Sequence, residues 1–304
     1  MSVTELFVPS RVEIDTGSGV DIDIDQIESY AYSPGVAGML LGGAGEVEPS
    51  FSAVDGIMPV FSFTTSQVAT FLAAIEEDGA IIDTDTGDAG VVIYGAQYEK
   101  GKVKKAGAYH MSVTIASGMI IPRSISASTG GPALLTFDVL PLSTDGITSP
   151  LSISTTASIS SAPTASELYT VGPATVNGST IGGVQSMNVN FGNGEVRLRA
   201  DGHVYPTFIS LPARRPGAGF STNKASYLYT LGEGLAITTN ATLYLTQCSE
   251  GGVRATGANQ ISIAFNDGRV EPAGFDGSML GVNIVPTFDG TNTCMVFSLT
   301  ASLP

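Results

Sequence analysis

The chain has 304 residues, and its 13 Lys and Arg against 28 Asp and Glu leave a formal net charge of −15. Charged residues make up 13% and hydrophobic ones 43%, a balance too apolar for intrinsic disorder, which needs low hydrophobicity together with high charge. Nucleic-acid binding through a basic face is excluded as well, because phosphate contacts require clustered Lys and Arg.

From the N-terminus, MSVTELFVPSRVEID carries neither the basic nor the apolar segment of a secretory signal, so a protein folded in a cytoplasm is expected. Asp21, Asp23 and Asp25 then alternate, which on a strand projects three carboxylates from one face. The apolar run Val36 to Leu41 ends at Gly42-Gly43, well short of the ~18 residues of a membrane helix. Ser66 to Glu76 reads as a helix, with Val68, Phe71, Leu72 and Ile75 on one face and Thr65 or Ser66 as its N-cap. Strand-rich segments follow at Val91 to Tyr98, Met111 to Ile115 and Leu134 to Leu140. The first two flank the basic cluster Lys100, Lys102, Lys104 and Lys105. Ser158 to Ser166, rich in Ser, Thr and Ala, reads as a linker.

Beyond the linker, Ser186 to Phe191 alternates Met187, Val189 and Phe191 with polar residues, then meets Asn193-Gly194, a hairpin signal leading into Glu195 to Ala200. Asn223 to Leu231 reads as a weaker helix closed by Gly232. Ala241 to Gln247, Ile261 to Phe265 and Met279 to Val285 complete the strands.

These elements recur in the same order because the sequence repeats. Residues 45–65 match 202–222 without a gap at an offset of 157, with seven identities in 21 pairs, among them Pro49/Pro206, Phe63/Phe220 and Thr65/Thr222. Residues 94–122 match 244–272 at an offset of 150, with nine identities in 29, among them Gln97/Gln247, Gly118/Gly268 and Pro122/Pro272. The 16 shared residues compare with roughly four expected by chance. The offset falls to 145 at Pro141/Pro286 and 144 at Asp145/Asp289, steps that surface loops absorb. The expected fold is therefore mainly β, as two tandem homologous β-sandwich or β-barrel-like domains, residues 1–160 and 161–304, each with one short helix. Charge divides unevenly between them, at −13 and −2, as in copies that keep a core pattern while their surfaces diverge.

Catalytic chemistry finds little purchase. His110 and His203 fall at unrelated positions of the two copies, and neither copy holds a recognisable acid–base set. An EF-hand begun at Asp21 would need Gly where Gln26 stands and Glu where Tyr32 stands; one begun at Asp83 would close on Tyr94. Gly42-Gly43-Ala44-Gly45 lacks the Lys and hydroxyl residue of a phosphate loop. Cys248 and Cys294 have no motif spacing and read as structural thiols. No catalytic, metal or cofactor residue is assigned, and the chain is expected not to be an enzyme. The Lys100 to Lys105 segment aligns with Gly251 to Arg254 and reads as a hairpin loop, either simply solvated or docking on an acidic neighbouring subunit.

The V-x-P-x-F segments at Val47 to Phe51 and Val204 to Phe208, the G-x-V-[KR]-x-x-G-A segments at Gly101 to Ala108 and Gly251 to Ala258, and FDGTNT at Phe288 to Thr293 resemble runs in phage structural proteins. With two β-rich copies and an acidic balance, the chain resembles the major tail (tail-tube) proteins of long-tailed bacteriophages in their double-domain form. That resemblance implies a non-enzymatic virion subunit, assembled in the host cytoplasm with other tail proteins. Three chains would form a ring of six domains, and rings would stack into a tube. DNA would pass through an electronegative lumen without specific binding and without any membrane. Asp21, Asp23 and Asp25 are then the candidate acidic lumen face, and Lys100, Lys102, Lys104, Lys105 and Arg254 the candidate docking loops between subunits. A phage head decoration protein is the alternative, and a carbohydrate-binding module a more distant one, disfavoured by the absence of Trp.

Overall fold

The computed structural model describes residues 7–15, 21–41, 51–75, 78–83, 90–98, 104–159, 167–248, 254–255, 257–288 and 293–304. The chain begins with β1 (Phe7–Asp15), β2 (Asp21–Ile24), β3 (Ile27–Ser33), β4 (Val36–Leu41), β5 (Phe51–Ile57) and β6 (Val60–Thr65). It continues with α1 (Val68–Ala74), β7 (Ala80–Asp83), β8 (Val91–Gln97), β9 (His110–Ile115), β10 (Ser117–Ser128), β11 (Leu134–Pro141) and β12 (Leu151–Ala157). Next come β13 (Tyr169–Val176), β14 (Ser179–Ile181), β15 (Val184–Asn190), β16 (Asn193–Leu198), β17 (Phe208–Arg214) and β18 (Gly217–Thr222). The last elements are α2 (Tyr227–Leu231), β19 (Leu235–Ala236), β20 (Ala241–Gln247), β21 (Gln260–Phe265), β22 (Gly268–Phe275), β23 (Leu280–Pro286) and β24 (Val296–Ala301). The protein is mainly β, as its Val-, Ile- and Thr-rich alternating segments require.

Two five-stranded sheets face one large sheet. The first has the order β12-β9-β8-β1-β2, and the second the matching order β24-β21-β20-β13-β14. The ten-stranded sheet runs β19-β22-β23-β18-β15-β10-β11-β6-β3, with β7 also on β10. Half of its strands come from each side of residue 160, so the sheet crosses the expected domain boundary without a break. No helix among the described residues is long and apolar enough to cross a membrane.

The same pairing scheme is present in both halves, down to the irregularities. Gly118 pairs with Pro141 and the β10–β11 ladder slips after Pro122; Gly268 pairs with Pro286 and the β22–β23 ladder slips after Pro272. Ile27 pairs with Thr65 and β3–β6 slips before Ser29; Val184 pairs with Thr222 and β15–β18 slips before Ser186. Proline lacks the ladder N–H, which accounts for a bulge at Pro122 and Pro272. A Cβ at Gly118 would run into the carbonyl of Leu140, and one at Gly268 into that of Val285, so the identity at this position reflects a shared close approach.

Apolar residues at every second position face the space between the sheets. Phe63, Phe137 and Phe71 stack there in the first half, with ring centroids 5.2 and 4.7 Å apart. Phe191 and Phe297 lie 5.5 Å apart in the second. Both helices are shorter than the sequence suggests. Thr65 is not a side-chain cap; its buried hydroxyl donates to the Gln26 carbonyl and accepts from the Gln67 N–H, so the backbone turns helical only from Val68. Thr222 does the same between the Gly182 carbonyl and the Lys224 N–H ahead of α2.

The hairpin expected from β15 into Glu195 to Ala200 does not form. The Phe191 N–H donates to the Arg123 carbonyl, Gly192 takes φ +68°, and the chain leaves the sheet so that β16 pairs with β17 as a separate arm. β4 and β5 make the corresponding arm in the first half.

Candidate functional site

The internal seam between the halves is the ladder of β10 with β15. It runs from Ser124 opposite Asn190 to Ser128 opposite Ser186, and is extended by Phe191 N–H to Arg123 O at 3.0 Å and Thr129 N–H to Gln185 O at 2.8 Å. On its core face Ile125 stands beside Val189 and Ala127 beside Met187, all buried. On its open face Ser126 stands beside Asn188, in a surface continued by the small polar Ser221 and Asn283; beyond Asn283 stands Glu271, paired with Arg269.

The arm made by β16 and β17 strengthens this seam. The Arg123 side chain donates from Nε to Asp138 at 2.6 Å and from Nη1 to both Glu195 at 2.9 Å and the Asn193 carbonyl at 2.8 Å. Burial alone would lower the Arg123 pKa and raise that of Glu195; their mutual hydrogen bond and charge reverse both directions, helped by Asp138 for Arg123 and by Arg197 for Glu195. Further along, Arg199 pairs with Asp55 at 3.0 Å, Arg214 with Asp78 at 2.7 Å, and the Ile57 N–H donates to the Val204 carbonyl at 2.8 Å.

The same sheet ends in two edges that resemble the two sides of this seam. At one end β3 pairs, among the described residues, only with β6, and its outer side is exposed, with Tyr30 44% and Tyr32 45% accessible. At the other end, β19 covers β22 only at Arg269 and Val270, which leaves the C-terminal part of β22 open up to Phe275, 49% accessible. By the register of the halves, β3 corresponds to β15 and β22 to β10. An unpaired strand edge is a template for another chain.

Behind β3 lies an apolar cleft of about 210 Å³, lined by Tyr30, Tyr32, Phe61, Met111, Ile153 and neighbours from β1 and β8. The corresponding residues of the second half, Met187 and Val189, are buried. Among the described residues no group of three or more His, Cys, Asp or Glu is placed to hold a metal ion.

The sequence-derived candidates lie elsewhere. Asp23 sits on β2, at the edge of the first five-stranded sheet, with Asp25 just beyond that strand and the Asp21 backbone opposite Asp15. Asp23 and Asp25 face buried Arg11, which donates to Asp25 at 2.6 Å and lies 3.5 Å from Asp23 and 3.4 Å from Glu13. Tyr94 donates to Glu13 at 3.0 Å, and burial, with that hydrogen bond, pushes its pKa up to about 12. These carboxylates form a paired cluster on a different sheet from the open face described above.

Lys100 and Lys102 fall outside the described residues. Lys104 is bridged to Tyr98, and Lys105 donates to the Gln97 side chain at 2.8 Å, with its ammonium 5.4 Å from the Tyr109 ring centre. Arg254 holds the matching bridge to Cys248. Beside the first of these bridges, buried His110 accepts the Gln97 N–H on Nδ1 at 3.1 Å; Gln260 accepts the Gln247 N–H in the same way at 2.8 Å. The histidine is thus a structural acceptor, and burial, followed by the charge of Lys104, lowers its pKa.

Sequence reasoning passed over Arg123, Glu195, Tyr30, Tyr32 and Phe275. The alternation of Ile27 to Ser33 signals a strand, yet whether that strand is covered depends on sheet order. No family model matches the chain, and no curated protein matches it.

Proposed function

We propose that this protein is a subunit of a virion tail tube, in which several chains close a ring and rings stack into a DNA conduit. The observation that carries the reading is the β10–β15 seam. The ten-stranded sheet is two five-strand units joined head to tail, and its two ends present the same pair of edges as that seam. A head-to-tail contact that repeats with a fixed rotation closes into a ring and leaves no free sheet edge. With two units per chain, a ring of six takes three chains.

The open face of the large sheet then lines the bore. Its Ser126, Asn188, Ser221 and Asn283 offer small uncharged polar groups, and the cations beside them are paired with carboxylates, Arg269 with Glu271 and Arg123 with Asp138 and Glu195, which weakens any hold on a phosphate. Repulsion of DNA falls to the chain's net charge of −15 rather than to a dedicated carboxylate row. No covalent step is required.

Electron microscopy of the concentrated purified protein tests this reading. Rings or hollow tubes of constant diameter are the expected result. A protein that stays monomeric across the accessible concentration range would refute it.

A further inference from the structure

We infer that the apolar cleft behind β3 is a socket for the Phe275 side chain of a second copy of this chain. The inference rests on the ring reading above and adds to it the side chain that fixes the chain-to-chain contact.

Carried onto the free edges, the register of the internal seam pairs Gly274 of one copy with Ser33 of the next, and Phe275 with Tyr32, as Ser124 pairs with Asn190 and Ile125 with Val189. Phe275 stands on the core side of its sheet, since its ladder partner is the fully buried Leu280, just as the partner of Ile125 is the fully buried Leu135. Ile125 is itself fully buried against the second half, whereas Phe275 is 49% accessible.

Tyr32, the residue Phe275 would stand beside, lines the cleft and is held in place by the Phe61 ring, with centroids 4.6 Å apart. The cleft's 210 Å³ exceeds the ~150 Å³ of an apolar cavity that accepts a benzene ring.

The chain-to-chain seam differs from the internal one in a way that gives the aromatic ring more to do. β22 ends at Phe275, where Asp276 accepts the N–H groups of Ser278 and Met279 and turns the chain, whereas β10 runs on to Ser128. Only two residues of the ladder remain available. Pro34, at the place of Phe191, also has no N–H to give. The Arg123–Asp138–Glu195 cluster has Ala273, Asn283 and Gly38 at the matching positions, so it has no ionic equivalent. Backbone and ionic contacts are fewer, and apolar burial of one phenyl ring takes their place.

The test uses full-length protein with Cys248 and Cys294 changed to Ser. Tyr32→Cys and Phe275→Cys are combined in one chain, where they stand at opposite ends of the sheet and can reach each other only between copies. Oxidation is expected to give covalent multimers of two or more chains. In parallel, Phe275→Asp should raise the concentration at which assembly begins roughly tenfold or more, while its melting temperature as a monomer stays within about 2 °C of the parent; Phe275→Leu should assemble. Exposed Phe288→Asp is the control expected to assemble normally. Rings or tubes that form without any crosslink between the two introduced thiols and that tolerate Phe275→Asp would overturn the socket and leave the ring reading standing. A parent protein that never assembles would overturn both.

Discussion

Replacing Arg123 with Ala should loosen the internal seam, and the size of the effect follows from its surroundings. The guanidinium is 25% exposed and holds Asp138 (13% exposed) and Glu195 (23% exposed) from the two sides of the seam. Removing one member of a buried ion pair costs about 3–5 kcal/mol, and an exposed pair contributes about 0.2–1 kcal/mol; this partly buried cluster should lose about 2–3 kcal/mol. In a chain of this length that lowers the melting temperature by roughly 5 °C. Urea unfolding of Arg123→Ala, Glu195→Gln and the double variant measures the coupling, expected to exceed ~1 kcal/mol.

The pH dependence has a defined sign. Glu195 is held below its unfolded pKa, so its contribution is present above the unfolded value of ~4.3 and is lost as pH falls through the folded one. In Arg123→Ala the largest opposing contributions are gone and burial acts on Glu195 against only a backbone hydrogen bond and the charge of Arg197, so the variant loses less than the parent as pH falls and the gap between them should narrow from pH 7 toward pH 4 and below. Additive single and double variants, or a gap independent of pH, would show that Arg123 does not join the halves.

Two further outcomes follow from the cores. His110 is buried with a lowered pKa, so its stabilising share is complete above the unfolded value of ~6.5 and is lost as pH falls below it. His110→Gln, which installs the residue found at Gln260, should flatten the melting temperature between pH 7.5 and pH 5; an unchanged slope would contradict the assigned role. Thr65→Val and Thr222→Val each remove a buried hydroxyl that both donates and accepts, and each should cost about 1–3 kcal/mol by urea unfolding. Effects differing by more than ~2 kcal/mol would argue that the two positions are not equivalent.

The strands and their order of appearance were legible in the sequence because alternation with period two is a local property, written at Val60 to Thr65 and again at Gly217 to Thr222. The matched Gly and Pro positions were legible for the same reason, since Gly118, Gly268, Pro122 and Pro272 answer to backbone constraints within a few residues of themselves. Helix ends and the Asn193-Gly194 hairpin were misread because distant groups intervene: the Gln26 carbonyl takes the Thr65 hydroxyl, and the Arg123 carbonyl draws Phe191 out of the expected turn.

Tertiary structure alone decided that the two halves share one sheet, that Asp23 and Asp25 turn onto Arg11, and that β3 and β22 end with open edges. A strand's residues specify which of its faces is apolar. Which strand lies beside it depends on contacts between segments far apart in the chain, as Ile125 and Val189 are, and local sequence patterns hold no record of that pairing.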